Sequence, residues 1–318
     1  MKSSELPIVV AFLLIFMTWK TVIIDKECVV SLSLNTLKVK VDDDYIKVPI
    51  GDLQTVIFSH ECTTITIPIL TALVANNVGV IISDKRKDPM GVFLPFNGHS
   101  LVFKQLNSQI NWKLTRKKKL WKLIIESKIN GQYKLLDYLD ADQVVVERLK
   151  ELSMDVKSDD SSNREALGAK LYFNQIFGND FVRHTDTTIN FALDYGYKIL
   201  ASYISRFIAS RGYLVQCGIH HIGSSNPFNL TYDFIEPFRV FVDYFVLNTI
   251  EFDESFKMQH RHELVNMLNY KVMIESKKQR LSKAIDLVID SYFAFLLEKN
   301  DKVIVPEYTK FYLFNDTE

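Results

Sequence analysis

The chain has 318 residues, 47% of them apolar and 24% charged, with 38 basic side chains against 38 acidic ones. That length allows two domains, each with a core of its own, and the composition is that of a soluble globular protein. A formal net charge of zero argues against an evenly basic DNA-binding surface, so phosphate binding would need positive charge gathered locally.

Cys28, Cys62 and Cys217 are odd in number, far apart and without C-x-x-C spacing. A zinc site or a disulfide framework is not expected, and a reducing cytoplasm fits. Pro7 to Met17 is an apolar run of eleven residues, too short for the roughly 20 that span a bilayer. It lacks a small-x-small cleavage site. Residues 1–16 therefore read as an upstream extension, a start codon called too early, in preference to a membrane or export signal. A cytoplasmic protein with no membrane partner is the expectation.

From Trp19 to about Leu94 the pattern is that of short strands. Trp19 to Ile24, Val29 to Leu32, Leu37 to Val41 and Tyr45 to Pro49 alternate apolar with polar residues or run β-branched, with Asn35 and Asp42-Asp43-Asp44 as turns. Ile50 to Phe58 continues the strand pattern, Pro68 to Asn77 reads as a short helix, and Val78 to Ser83 as a further strand. Pro95-Phe96-Asn97-Gly98-His99 breaks the pattern. From Leu101 to Lys299 the apolar spacing is helical, clearest over Asn190 to Ser210, which Gly212 stops. The expected fold is α+β: a small β-rich N-terminal domain over 17–98, then a larger all-α catalytic domain over 99–318.

Positive charge collects between Lys104 and Lys134, where nine Lys or Arg residues meet one acid, Glu126. Arg116, Lys117, Lys118 and Lys119 are consecutive. Such a run is either a solvated helix face or a surface that tracks phosphates and weakens with salt.

Three segments carry groups suited to metal chemistry. They are Ser162-Asn163-Arg164-Glu165, Gly218-Ile219-His220-His221, and Asp233-Phe234-Ile235-Glu236 followed by Pro237-Phe238-Arg239. Taken singly, each has a plain structural reading. Ser162-x-x-Glu165 and Asp233-x-x-Glu236 match helix-capping boxes, and the histidines could lie on the surface. Taken together, Asp233 and Glu236 share a helix face. Adjacent histidines diverge, so at most one joins them, and the flanking glycines let backbone come close. Carboxylates with one histidine suit Mg²⁺ or Mn²⁺ better than structural zinc.

At these residues the chain resembles the adaptation integrase family of CRISPR immunity, the "Cas-one" proteins, in the shorter form of type II systems. The likeness runs from Met17 to the C-terminus. It is carried by Ser162 to Glu165, Tyr172-Phe173-Asn174, Phe177 to Phe181, Ile189 to Tyr197, Gly218 to His221 and Asp233 to Arg239, with Met17-Thr18-Trp19-Lys20-Thr21 as the family's usual start. Leu94-Pro95-Phe96 matches its hand-over between domains.

The resemblance implies an enzyme, a metal-dependent DNA endonuclease and integrase, that inserts short DNA fragments into a repeat array. In it the 3′-hydroxyl of the fragment attacks a phosphodiester, and no nucleotide cofactor is consumed. It implies a metal held by Glu165, His221 and Glu236, with Asp233 fourth, acting directly or through water. His221 ligates through a neutral nitrogen, with general-acid action as the second choice. Implied partners are double-stranded DNA, a second copy of the chain, and a small ferredoxin-fold protein, "Cas-two". The type II effector nuclease and its accessory protein are implied more loosely. Arg164, Arg239 and then Arg116 to Lys119 are the expected DNA contacts. The departure from the family is Glu165-Ala166-Leu167-Gly168, where many relatives place glycine directly after the glutamate. Rival readings are the same fold in a transposon integrase or a branched-DNA repair nuclease, or a non-catalytic DNA-binding scaffold whose carboxylates only cap helices.

Overall fold

The computed structural model describes residues 20–42, 44–93, 101–250, 255–309 and 311. The expectations on residues 1–16, on Met17-Thr18-Trp19 and on the Leu94 to His99 hand-over lie outside them. The chain divides into two units, residues 1–98 and 99–318.

The first unit turns the short β-branched runs into two four-stranded sheets. One has the order β1 (Lys20–Ile24), β5 (Leu53–Phe58), β7 (Gly79–Ser83), β8 (Pro89–Phe93); the first three strands are parallel and β8 is antiparallel to β7. The other has the order β4 (Asp44–Pro49), β3 (Thr36–Val41), β2 (Val29–Ser33), β6 (Thr64–Ile65). The β2–β3 hairpin closes through Leu34 and Asn35, both at positive φ, the two-residue turn whose twist matches the strands. Helix α1 (Ile67–Ala75) starts with Pro68 in its first turn, where proline's missing N–H costs nothing. Alternate residues such as Leu37, Val39 and Val48 join Val22, Val56, Ile69 and Val80 in one buried core.

The second unit is helical. Its elements are α2 (Val102–Ile110), α3 (Leu114–Tyr138), α4 (Gln143–Met154), α5 (Arg164–Phe177), α6 (Thr188–Ser210), α7 (Asn229–Ile235), α8 (Arg239–Thr249), α9 (Met258–Asn266) and α10 (Leu281–Leu296). Asp142 caps α4 by accepting from the Val144 N–H at 2.9 Å, and Thr187 caps α6 by accepting from Asn190, each satisfying a free donor of a first turn. The long α3 packs against α4, α5, α8 and α10, with Leu120, Trp121, Ile124, Ile125, Leu135 and Leu136 buried along it.

One expectation needs correcting: this unit is not all-α. Strands β9 (Lys271–Ile274) and β10 (Lys277–Arg280) form an antiparallel hairpin. Glu275 and Ser276, at φ 47° and 58°, make its two-residue turn without the glycine or asparagine that usually announces one. Among the described residues no helix is long and apolar enough to cross a membrane.

Helix α8 packs tightly against α6 at Gly196. A Cβ there would meet Val242 Cγ1 at 2.4 Å and Leu264 Cδ2 at 3.2 Å. Val242 is β-branched and fully buried, so it cannot swing aside. Gly196→Ala should therefore lower the unfolding free energy by about 1–3 kcal/mol despite alanine's better helix propensity. Urea unfolding of the full chain measures this, and an unchanged midpoint would show that α8 can retreat.

Candidate metal centre

Two glutamates from distant segments meet beneath α3. Glu165 lies in the first turn of α5, and Glu236 opens a 3-10 turn, Glu236–Phe238, between α7 and α8. The Lys128 ammonium stands between them, 2.6 Å from Glu165 Oε1 and 2.5 Å from Glu236 Oε2. Arg239 donates to the other oxygen of Glu236, Oε1, at 3.1 Å. Glu236 is buried, and burial alone would push its carboxyl up; Arg239 and Lys128 outweigh that and hold it well below the usual range. Burial likewise works to discharge Lys128, but Glu236 and Glu165 together raise its pKa and keep it an ammonium.

Glu165 reaches this place because it does not cap its helix. The expected capping box is absent. Asn163 sits in the left-handed region at φ 52° and makes no side-chain cap bond, and the Ser162 hydroxyl has no hydrogen-bond partner among the described residues. Asp160 does the capping, its Oδ1 accepting from the Arg164 N–H at 2.9 Å and its Oδ2 from the Glu165 N–H at 3.0 Å. The Glu165 side chain is left to turn toward Lys128. Asp233-x-x-Glu236 is not a capping box either, since Asp233 lies inside α7.

Asp233 is fully buried and organises the histidine loop. Its Oδ2 accepts from the backbone N–H groups of Ile219 (2.6 Å) and His220 (3.1 Å). Its Oδ1 accepts from the His221 N–H (3.0 Å) and pairs with His221 Nδ1 at 2.7 Å. Both oxygens are thus occupied, and in this arrangement Asp233 positions His221. Gly218 is required for the fit, because a Cβ there would lie 2.2 Å from the His221 carbonyl oxygen and 2.6 Å from Asp233 Oδ2. The hydrogen bond to Asp233 raises the His221 pKa against the opposing effect of burial, with further help from the charges of Asp233, Glu236 and Glu165. With Nδ1 turned to Asp233, Nε2 remains for a ligand, as in carboxylate–histidine–metal arrangements.

His220 takes the other course. Its ring stacks on Trp121 at 4.2 Å between centroids with a 5° interplanar angle, and its Nδ1 lies 3.1 Å from Asp159 Oδ1. Adjacent histidines do diverge, and one is spent on packing.

The basic run is largely paired. Arg116 bridges to Asp301 at 2.5 Å and lies over the Phe295 ring, and Lys118 pairs with Asp159 at 3.2 Å. Arg164 holds Asp155 through Nε at 2.9 Å and Nη2 at 2.5 Å. These pairs tie α3 to the segment after α10 and to the Asp159 turn, and α5 to the end of α4. Lys117 and Lys119 make no ion pair among the described residues.

Beside the two glutamates lies a cavity of about 230 Å³, whose walls include Lys128, Phe173, Arg183, Tyr197, Arg239 and Asp243. The Arg239 guanidinium lies 4.0 Å over the Tyr197 ring. Asp243 accepts from Tyr172 OH at 3.0 Å and from Tyr197 OH. Burial, with Asp243 adding to it, keeps both phenols protonated far above neutrality. Sequence reasoning missed Lys128, Asp160, Arg183 and Asp243. Lys128 had a visible signal: it interrupts the otherwise apolar stripe of Ile124, Ile125, Leu135 and Leu136 on α3.

Among the described residues no group of three or more His, Cys, Asp or Glu closes up as a ready-made metal cage. The donor chemistry nevertheless fits a hard divalent ion. Two carboxylates already gather around a cation, and a histidine is fixed through its Nδ1 by a buried acid.

The model of the family described as "CRISPR associated protein Cas1" matches residues 21–284. A "CRISPR-associated endonuclease Cas1" of Neisseria meningitidis serogroup C (strain 8013) is 32% identical over 295 residues, 92% of this chain and 97% of that protein. The chain belongs to the Cas1 family. The reading of the sequence as an adaptation integrase stands on that membership. Solved structures with the same fold include a casposase bound to integration product, with TM-score 0.73, 21% identity, and coverage of 95% of this chain and 96% of that one. A Cas6-RT-Cas1–Cas2 complex has TM-score 0.67 and 18% identity, covering 96% of this chain and 37% of that chain.

Burial pushes the Asp243 carboxyl up to about 6, with Tyr197, Arg239 and Tyr172 pulling the other way. A folded-state pKa raised above the ordinary carboxylate value means that the group contributes more to stability as the pH falls through about 6. The stability difference between wild type and Asp243→Asn should therefore shift in favour of wild type by on the order of 1 kcal/mol between pH 7 and pH 5. Urea unfolding at both pH values reads it, and a difference that does not change with pH would mean an ordinary carboxylate.

Proposed function

We propose that this Cas1 protein is a divalent-metal-dependent DNA integrase that inserts short fragments of foreign DNA into a CRISPR repeat array. The observation that carries the reading is the seating of a cation, Lys128, between Glu165 and Glu236. Glu165, Glu236 and the Nε2 of His221 are the proposed ligands of Mg²⁺ or Mn²⁺, and Asp233 holds His221 in orientation. Such an ion, when bound, would offset charge on a phosphoryl oxygen and favour in-line attack by a hydroxyl.

The chain's own residues supply the rest. Arg239 and Arg183 line the cavity beside the glutamates, and guanidinium forks suit phosphate oxygens. In the proposed reaction a bond forms between a fragment's 3′-oxygen and a repeat phosphorus while that phosphorus loses its own 3′-oxygen. One phosphodiester replaces another, so no nucleotide cofactor is needed. His221 is a proposed ligand first and a general acid second.

Double-stranded DNA is the proposed substrate, and Arg164, Arg239 and Arg116 to Lys119 are its proposed contacts, with Arg183 of the cavity beside them. Two copies of the chain bridged by Cas2, working in the cytoplasm, form the proposed assembly; the neighbouring complex that names Cas2 supports that partner. The type II effector nuclease and its accessory protein are proposed to join in fragment choice. A second reading, integration outside CRISPR, has one observation behind it, the 0.73 TM-score to a casposase.

Strand transfer in vitro tests the proposal. The purified chain with Cas2, a labelled duplex and a supercoiled plasmid bearing the repeat should yield joined product in Mn²⁺ or Mg²⁺. EDTA should abolish it, and Glu165→Ala, His221→Ala and Glu236→Ala should each lower it by at least about 100-fold. Asp233→Asn should cost about 10–100-fold, chiefly through weaker metal binding. Product formed equally by Glu236→Ala would leave the carboxylates a purely structural role. Insertion without regard to the repeat would favour the transposon-type reading.

A further inference from the structure

The same two carboxylate oxygens that the proposed metal would use are already engaged. Lys128 Nζ is 2.6 Å from Glu165 Oε1 and 2.5 Å from Glu236 Oε2, and its side chain is only 11% exposed. An ammonium and a divalent ion cannot both stand between two carboxylates that close. We propose that Lys128 is the built-in counter-ion of the metal-free site and that metal loading exchanges it for the divalent ion. The inference rests on the reading of Glu165 and Glu236 as metal ligands.

Three observations support it. Two carboxylates brought together in a mostly buried place need a cation, or they separate or take up a proton. Arg239 does not meet that need, because its contact is with the other oxygen of Glu236 and no contact joins it to Glu165 among the described ion pairs. Among the described residues, Lys128 is the one cation paired with both acids. The kind of cation also matters. Lysine carries a point charge on a flexible four-carbon stem, whereas arginine's planar fork is held by paired hydrogen bonds. The cavity of about 230 Å³ has Lys128 in its wall, next to Gln132 and Asp243. The ammonium can therefore withdraw without unpacking α3. The lysine would keep the two acids together before metal arrives, at the expense of metal affinity.

The test uses the full chain without DNA. Mn²⁺ binding is followed by the EPR signal of free Mn²⁺, and thermal stability is measured in EDTA and in Mn²⁺, for wild type and Lys128→Met. Methionine keeps an unbranched stem and removes the charge. The variant should melt several degrees lower than wild type in EDTA, bind Mn²⁺ about tenfold more tightly or better, and gain more than wild type in melting temperature when Mn²⁺ is added. Lys128→Gln, which keeps a hydrogen-bond donor for the carboxylates, should bind Mn²⁺ more tightly in the same way if the methionine variant does not fold. Equal or weaker Mn²⁺ binding in the folded variants, with wild-type binding intact, would overturn the exchange and leave the metal reading standing. Wild type that binds no Mn²⁺, like Glu236→Gln, would overturn both.

Discussion

Two carboxylates do not stay side by side in a helical core without a positive charge between them. In the second unit of this chain, that requirement sets the positions of the surrounding elements. Glu165 opens α5, and Glu236 sits at the joint of α7 and α8. Lys128 comes from the middle of α3. Three segments distant in sequence are therefore held to one another by charge as well as by apolar packing. Removing one member leaves the others buried and unbalanced, which costs more than the net worth of the intact cluster. The joint itself is a short 3-10 turn begun by Glu236-Pro237, and Pro237 commits the chain to turn there. Tyr308 reaches back to donate to the Pro237 carbonyl at 2.9 Å and to share a hydrogen bond with Ser127, one residue before Lys128. The end of the described chain thus braces both sides of the charged cluster.

Asp233 solves a second problem with the same economy of parts. A loop that presents a histidine has free N–H groups, and three of them point at one buried carboxylate. A charge with no exposure is tolerable when it is saturated by donors, and this one receives the histidine ring as its fourth. The orientation of His221 is therefore fixed by the fold of the loop. Gly218 is the point at which sequence had no choice, since any side chain would strike the very carboxylate that organises the turn.

Much of this was readable from residue order alone, and the exceptions have physical causes. The change from a period near two to a period near 3.6 separated strands from helices, and Thr188–Ser210 was visible because its apolar face is long and its end is marked by Gly212. The hairpin Lys271–Arg280 was hidden: its outer positions are Lys271, Lys277, Lys278 and Arg280, and its turn is Glu275-Ser276, so neither alternation nor turn chemistry stands out. Strand β8 was hidden by opening on Pro89 and carrying Gly91. At the site, the segments of Glu165, the two histidines and Glu236 stand out by residue type, while the choice of His221 over His220 rests on the family resemblance. The capping by Asp160 does not stand out, because it depends on Asn163 taking a left-handed conformation that no local pattern demanded. Lys128 belongs to the basic run by composition, yet its helical position, four residues after Ile124, places it on the buried side.

The pairing of the basic run bears on how a neutral chain would hold DNA. Of the cations in the run, Lys128 is inside the carboxylate cluster, Arg116 and Lys118 are paired with Asp301 and Asp159, and Lys122 pairs with Glu126 at 3.5 Å. A cation already paired releases little on meeting a phosphate, because one counter-charge replaces another. The stretch that looks most like a nucleic-acid surface is thus spent largely on structure. Lys117 and Lys119 make no ion pair among the described residues, whereas the two arginines of the cavity, Arg183 and Arg239, are themselves paired with Asp194 and Glu236, so few of these cations are free for phosphate in one copy of the chain. The slope of affinity against salt scales with the phosphates neutralised, so a single copy should show a shallow slope. A second copy and a Cas2 partner would steepen it. On this accounting the assembly, more than the single chain, would carry affinity for the duplex, while the single chain supplies the reacting site.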